Sequence, residues 1–157
     1  MLAVMSVAIR RIGPDDEAVL ALLARDEPDF DLDDRSAPSV PLPAAAARAF
    51  LGDANVLFWI AESADDVVGF LSCQIVRRRD EPAELLLYEI GVRAAQRRHG
   101  VGRALVAAMN AWMAAHHVVE VWVLADNPGA VAFYRACGFS DDESHAATYM
   151  TRFDGET

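Results

Sequence analysis

The sequence has 157 residues, 54% of them hydrophobic, and a formal net charge of −10 at pH 7. This length suits one ordinary domain over 1–157, and the even spread of apolar residues excludes a mostly disordered chain. All 14 basic residues are arginine, and so large an acidic excess argues against binding to a nucleic-acid backbone. Since no apolar stretch reaches the roughly 20 residues that span a bilayer, no membrane partner is expected.

Hydrophobic periodicity and turn residues divide the chain into alternating elements. Pro14 can open a helix because its missing N–H costs nothing in the first turn, where acidic residues follow it. Apolar residues at Val101, Leu105 and Met109 recur at helical spacing and indicate a long helix. In chain order we predict a strand over 6–11, a helix from Pro14, a loop over 26–43, a helix over 44–51, antiparallel strands over 56–62 and 67–76, a strand over 84–92, a helix over 100–116, a buried strand over 118–124, a helix over 128–137 and a last strand over 148–153.

The cysteines and tryptophans all lie in apolar patterns. Cys73 and Cys137 are therefore expected to be buried, inert thiols, and a cytoplasmic location fits a chain without a disulfide framework. Periodicity places Trp59, Trp112 and Trp122 in the core. The four histidines are scattered without metal-ligand spacing, so no metal site is expected. The apolar N-terminus predicts a first strand rather than a signal peptide.

A glycine-punctuated, arginine-rich turn follows the strand predicted over 84–92. Unpaired N–H groups at a helix start bind phosphate, glycines let a pyrophosphate approach the backbone, and guanidinium groups match phosphate oxygens. On spacing alone, an ordinary solvated helix start stays open as the alternative. The turn reads Arg97-Arg98-His99-Gly100-Val101-Gly102-Arg103.

A second motif reads Asn127-x-x-Ala130-x-x-Phe133-Tyr134-x-x-x-Gly138-Phe139. Together with the Arg-x-x-Gly-x-Gly turn and the order of strand, turn, long helix and buried strand, it resembles the GNAT acetyltransferase superfamily. Within that superfamily the pair Tyr88-Glu89 and the turn after it are most similar to the short, single-domain aminoglycoside 3-N-acetyltransferases. Ala94 stands where many members carry proline, a departure that we expect to affect the turn more than the chemistry.

The resemblance implies a mixed α/β fold. Its central, mostly antiparallel twisted sheet is splayed between strands 4 and 5 and is flanked by about four helices. Acetyl-CoA is the implied co-substrate. Backbone groups of Ile90 and Val92 would pair with the pantetheine arm, Asn127 would hydrogen-bond it, and Tyr134 would point at the sulfur. The pyrophosphate would be held by Arg97, Arg98, Gly100, Val101, Gly102 and Arg103.

The resemblance also implies direct transfer of an acetyl group to an amine, without an acyl-enzyme. Glu89 would accept the proton of the amine, directly or through a water, and Tyr134 would protonate the departing thiolate. Backbone N–H groups of the splayed strand would stabilise the oxyanion. Tyr88 and Glu89 point to opposite faces of a regular strand, an alternation that a bulge would change. Two alternatives stay open: Glu89 is a solvent-facing residue without a catalytic role, and Tyr134 is a residue of the core.

Acidic residues are the groups that a polycationic acceptor requires. They raise the local concentration of a cation around a cleft, although a run of acids is equally often a solvated loop. We therefore expect an aminoglycoside acceptor and a role in antibiotic resistance. The alternatives are a protein N-terminus, a polyamine or another small amine, and a non-catalytic acetyl-CoA-binding module; exposed edge strands would permit a homodimer. The candidate substrate-binding residues are Tyr88, Glu89, Asp29, Asp31, Asp142 and Glu143.

Overall fold

The computed structural model describes residues 6–30, 39–142, 150 and 152. The chain divides into two units, Met1–Leu124 and Ala125–Thr157, and the single domain expected over the whole chain stays a prediction. Within the described residues, no helix is long and apolar enough to cross a membrane.

The first unit is built on a five-stranded sheet with strand order β1-β2-β3-β4-β5. Neighbouring strands are antiparallel from β1 to β4, whereas β4 and β5 are parallel. This is the mixed α/β fold with a mostly antiparallel sheet that the sequence predicts. The strands are β1 (Ala8–Arg11), β2 (Val56–Ser63), β3 (Asp66–Val76), β4 (Glu84–Val92) and β5 (Val121–Trp122), and the helices are α1 (Glu17–Arg25), α2 (Ala44–Gly52) and α3 (Val101–Ala115). Short 3₁₀ helices cover Pro14–Asp16, Glu27–Phe30 and Ala94–Gln96.

The β2–β3 hairpin confirms the predicted pair of antiparallel strands. Ser63 pairs with Asp66 across a two-residue turn, and both turn residues, Ala64 and Asp65, have positive φ angles of 48° and 68°. Positive φ at both central positions is typical of the type I′ turn, whose twist matches that of the flanking strands.

The sheet packs against helices on both faces. On one face Phe70 stacks on Phe58 and meets Phe30 edge to face, each pair with ring centroids 5.7 Å apart, and residues of α1 and α2 pack against this aromatic cluster. On the other face lies α3. A Cβ at Gly69 of β3 would be 2.9 Å from Val101 Cγ1, so the missing side chain lets the first turn of α3 pack directly on the sheet.

Two predictions need correction. The loop expected over 26–43 contains the 3₁₀ helix Glu27–Phe30, because Phe30 is buried against Phe70; residues 31–38 lie outside the described part of the chain. The buried strand expected over 118–124 is reduced to Val121–Trp122. Trp122 is 37% exposed and is therefore not a core residue; among the described residues, β5 pairs with β4 alone.

The second unit contains α4 (Pro128–Ala136), which confirms the helix predicted over 128–137. Asn127 is its N-cap, and proline stands at the first helical position, where no N–H is needed. Gly138 follows the helix with φ +93°, a left-handed conformation that glycine adopts at helix ends. The strand predicted over 148–153 lies outside the described residues except for 150 and 152.

Candidate active site

The last residues of β4 carry backbone groups that face away from β3. The N–H of Arg93 donates to the carbonyl oxygen of Val68 on the β3 side, at 2.9 Å. In an antiparallel pair, consecutive residues direct their N–H and C=O groups alternately to one neighbour and to the other. The N–H and C=O groups of Val92 and Ile90 therefore point to the opposite edge of β4.

That opposite edge is largely without a strand partner. Among the described residues, β5 pairs with β4 only at Leu85 and Leu86, so the two strands part before Ile90. The carbonyl of Val92 accepts a hydrogen bond from Arg97 Nε at 3.2 Å. An edge of this kind can pair with an extended ligand as it would with another strand.

A β-bulge at Tyr88 decides where Glu89 points. Cys73 pairs with Leu87 and Ser72 pairs with Glu89, so Tyr88 has no opposite residue in β3. Without this extra residue Glu89 would share the α3 face with Leu87. With it, Glu89 is opposite Ser72 on the other face of the sheet, and Tyr88 is 63% exposed.

The face that carries Glu89 is crowded next to it. Gly91 is two residues farther along β4 and so lies on the same face. A Cβ at Gly91 would be 2.7 Å from Phe70 Cε1 and 3.1 Å from the backbone oxygen of Phe30. The 3₁₀ helix Glu27–Phe30 therefore passes directly over β4, beside the half-buried Glu89.

The arginine-rich turn has the backbone form that a phosphate site requires. Gly100 is the N-cap of α3 at φ +83°, and no atom lies within 4 Å of the Cβ it lacks. Arg98 also has a positive φ, of 65°. The first N–H groups of the 15-residue helix α3 have no partner within the helix. The open space at Gly100, the N–H groups that have no partner within the helix, and the exposed arginines of the turn together fit a bound pyrophosphate.

The side chain of Arg97, the first residue of the turn motif, is exposed and lies against β4 and the 3₁₀ helix Glu27–Phe30. Besides its bond to Val92, its Nη2 donates to the backbone oxygen of Asp29 at 3.3 Å. In this structure Arg97 therefore connects the turn to the 3₁₀ helix. The contact with the cofactor phosphate that the sequence predicts for it stays a prediction.

Arg93 is a residue of this site that the sequence analysis missed. Its Nη2 and Nη1 pair with Asp26 and Asp29 at 2.9 and 3.1 Å, and its Nε donates to the carbonyl of Val67. Its guanidinium carbon also lies 4.5 Å from the ring centroid of Phe30. In the sequence, only its position directly after a predicted strand of the central sheet could have indicated this role. Asp26 and Asp29 lie 67 and 64 residues away from it in the chain.

The acidic segment is thus partly neutralised. Hydrogen bonds from Arg25 and then Arg93 lower the pKa of Asp26 to about 2. Since this pKa is lowered, the stability that Asp26 contributes is present above its usual value of 3.8 and is lost as the pH falls towards 2. The Asp29 side chain remains 47% exposed. Asp31 lies outside the described residues.

The second unit holds the other predicted site residues. Asn127 Oδ1 accepts from the N–H of Ala130 at 2.8 Å, so this side chain caps α4. Tyr134 is 8% exposed, and its ring lies 5.4 Å from those of Phe133 and Phe139. Asp142 is exposed at the end of the described segment, and Glu143 lies beyond it.

Both cysteines are at least partly buried. Cys73 is fully buried, and burial raises the pKa of its thiol to about 12, so it stays protonated at neutral pH. Cys137 is half-buried and is the C-cap residue of α4. Within the described ranges, no three His, Cys, Asp or Glu side chains are grouped as metal ligands would be.

The chain belongs to the acetyltransferase (GNAT) family, whose model matches residues 18–139, and is by class an acyltransferase. The family uses acetyl-CoA. An uncharacterised N-acetyltransferase of Methanocaldococcus jannaschii is 34% identical over 93 residues, which are 55% of this chain and 40% of that protein. The chain thus spans less than half the length of this curated relative.

Two solved structures share the fold at low identity. An aminoglycoside acetyltransferase from an uncultured soil metagenomic sample, in complex with sisomicin, is 22% identical with a TM-score of 0.77, over 94% of this chain and 97% of that one. A ribosomal-protein-alanine N-acetyltransferase from Brucella melitensis biovar Abortus 2308 is 16% identical with a TM-score of 0.72, over 95% and 100%. These structures show the shared fold, and the match of the family model to residues 18–139 confirms the predicted family.

Proposed function

We propose that this protein transfers the acetyl group of acetyl-CoA directly to a primary amine of a polycationic small molecule, with an aminoglycoside as the acceptor class. The observation that carries the proposal is the bulge at Tyr88. It places Glu89 on one face of β4 while the backbone of Ile90 and Val92 faces the open edge, so that a base and a binding edge for the donor lie on one short segment.

The open edge and the turn before α3 are the groups of the first unit that would hold the donor. The N–H groups of Ile90 and Val92 point outward from β4 and would pair with the pantetheine arm. The first N–H groups of α3, together with Arg98 and Arg103, would bind the pyrophosphate. When bound, acetyl-CoA supplies an activated thioester.

Proton transfer is assigned to two side chains. Glu89 accepts the proton that the amine loses as its nitrogen bonds to the acetyl carbon, and the carbon–sulfur bond then breaks. Tyr134 gives its phenolic proton to the sulfur. The assignment of Tyr134 rests on the family resemblance of α4 and on the buried aromatic setting of the side chain.

The acceptor class is argued from charge. A net charge of −10 attracts a polycation over long range, and Asp29 presents a half-exposed carboxylate on the 3₁₀ helix that crosses β4 at Gly91. The exposed ring of Tyr88 offers a flat surface next to the base. Asp31, Asp142 and Glu143 are retained as candidate acceptor contacts.

A second candidate is acetylation of a protein N-terminus. It is favoured by the fold shared with the ribosomal-protein-alanine N-acetyltransferase. Because the segment over Gly91 is acidic, this alternative requires a basic peptide.

Thiol release from acetyl-CoA tests these proposals with three acceptors: sisomicin, spermidine, and a basic peptide with an N-terminal alanine. The chain has no lysine, so its own side-chain amines cannot contribute acetylated product. We expect the highest kcat/KM with sisomicin, and a rate that falls as salt is added, because added ions screen the attraction. A matched reaction without acceptor gives the rate of thioester hydrolysis.

Each other outcome replaces the proposal with an alternative. A preference for the peptide would make the protein an N-terminal acetyltransferase, and equal kcat/KM for all three acceptors would remove aminoglycoside specificity. Binding of CoA without thiol release in any mixture would indicate a non-catalytic acetyl-CoA-binding module.

A further inference from the structure

Arg93 joins three separate parts of the first unit. It follows the last residue of β4, donates to the carbonyl of Val67 in β3, and pairs with Asp26 and Asp29 at either end of one short segment. Its side chain is only 19% exposed. No other cationic side chain among the described residues makes ion pairs with both of these acids.

The segment that Arg93 holds lies beside the proposed base. Residues 26–30, which we call the acceptor wall, end at Phe30, whose backbone oxygen lies 3.1 Å from the position of a Cβ on Gly91. Gly91 and Glu89 share a face of β4 two residues apart, which is roughly 7 Å along a strand. The wall therefore crosses β4 at the position next to Glu89 on the same face of the strand.

We propose that Arg93 is a positioning residue for the acceptor: it holds the acceptor wall against β4, so that Asp29 and Glu89 present their carboxylates to one amine substrate. This inference rests on the proposed function. Arg93 does not touch the reacting atoms; it acts through residues 26–30.

Arginine suits this task better than lysine would. Its planar fork donates in several fixed directions, and here these serve two carboxylates and a carbonyl, while its face lies over the Phe30 ring. A lysine has a single ammonium and reaches fewer of these acceptors at once. Arg93→Lys should therefore restore only part of what Arg93→Met removes.

Arg25 provides a matched control. It pairs with the same carboxylate, with Arg25 Nε 2.9 Å from Asp26 Oδ1, but its side chain is 70% exposed, and among the described residues both of its side-chain hydrogen bonds go to the adjoining Asp26. Arg25→Met removes a charge partner of Asp26 and leaves the link between the wall and β4 in place.

The experiment measures steady-state kinetics with acetyl-CoA and sisomicin, and amide hydrogen exchange of residues 26–30, in the wild type, Arg93→Met, Arg93→Lys and Arg25→Met. For Arg93→Met we expect a KM for sisomicin raised about tenfold, since small misplacements of positioning groups are costly, and a KM for acetyl-CoA that stays within about twofold. Exchange in the acceptor wall should rise, while exchange in β2 and β3 should not. Arg93→Lys should fall between wild type and Arg93→Met, and Arg25→Met should resemble wild type.

The outcomes separate this inference from the proposed function. Unchanged amide exchange in residues 26–30 of Arg93→Met overturns the inference. It is also overturned if KM rises equally for sisomicin and for acetyl-CoA, or if kcat falls while neither KM changes. If Arg93→Met does not fold, an Arg93→Lys enzyme with a wild-type KM for sisomicin overturns it. A wild-type protein that acetylates no amine refutes the proposed function itself, whatever the variants do.

Discussion

The two edges of β4 differ sharply. Towards β3 the strand is paired from Glu84 to Val92, with one bulge. Towards β5 it is paired only at Leu85 and Leu86. One edge therefore fixes the strand in the sheet, whereas at the other edge the N–H groups of Ile90 and Val92 have no partner in β5.

The difference between the two edges shows how one strand can be held firmly in a sheet and still offer backbone groups to a ligand. The β3 edge supplies the hydrogen bonds that hold the strand, so the parting from β5 need not disorder it. The bulge at Tyr88 keeps the ladder with β3 in place while it moves Glu89 to the face away from α3. Without the bulge, the carboxylate would face the packed core beneath α3.

Replacement of the proposed base should have the largest effect. Glu89→Gln keeps the size and the strand but cannot accept a proton, so we expect kcat to fall by about 10²–10⁴-fold with CoA affinity unchanged. Glu84→Gln is the control: this residue is on the same strand, paired with Arg78 at 3.4 Å, and the variant should retain its turnover. Comparable kcat values for the two variants at neutral pH would remove Glu89 as the base.

The crowded face of β4 predicts the next largest effect. An added methyl at Gly91 meets Phe70 and the backbone oxygen of Phe30, so Gly91→Ala should lower the free energy of unfolding by about 1–3 kcal/mol, as measured by urea denaturation. Gly13→Ala is the control because nothing lies within 4 Å of its added Cβ. Equal stabilities would mean that Phe30 does not pack on β4.

Hydrogen exchange compares the two edges directly. In the free protein the amide of Gly91 is bonded towards β3, whereas that of Val92 faces the open edge, so Val92 should exchange about tenfold faster or more. Added CoA should slow exchange at Val92 and leave Gly91 nearly unchanged. Equal exchange at both amides before CoA is added would contradict the open edge.

The sequence predicts β4 and α3 well, because alternation, helical spacing and the glycine-rich turn are local signals. The bulge at Tyr88 could not be read in the same way, since it depends on how β3 pairs with β4. The same holds for Arg93: its partners, Asp26 and Asp29, are distant in the chain, and only the packing of Phe30 on Phe70 brings them to it. Local patterns also overstated β5: the apolar run over 118–124 forms a strand only at Val121–Trp122, because an apolar run does not show how many of its residues pair with a neighbouring strand.

The smallest effect is expected at Gly100, and it separates two reasons for which a glycine is required. Gly91 needs room, whereas Gly100 has open space around its missing Cβ but a φ of +83°. Gly100→Ala should therefore cost about 1 kcal/mol of unfolding free energy from backbone conformation alone. Because side-chain volume is not the cause, Gly100→Asn should cost less than Gly100→Ala, since asparagine tolerates the left-handed region. At Gly91 the order should reverse, with the larger residue more damaging. Urea denaturation of the four variants tests this reversal, and a cost at Gly100 that rises with side-chain size would mean that the space before α3 is closed to a phosphate.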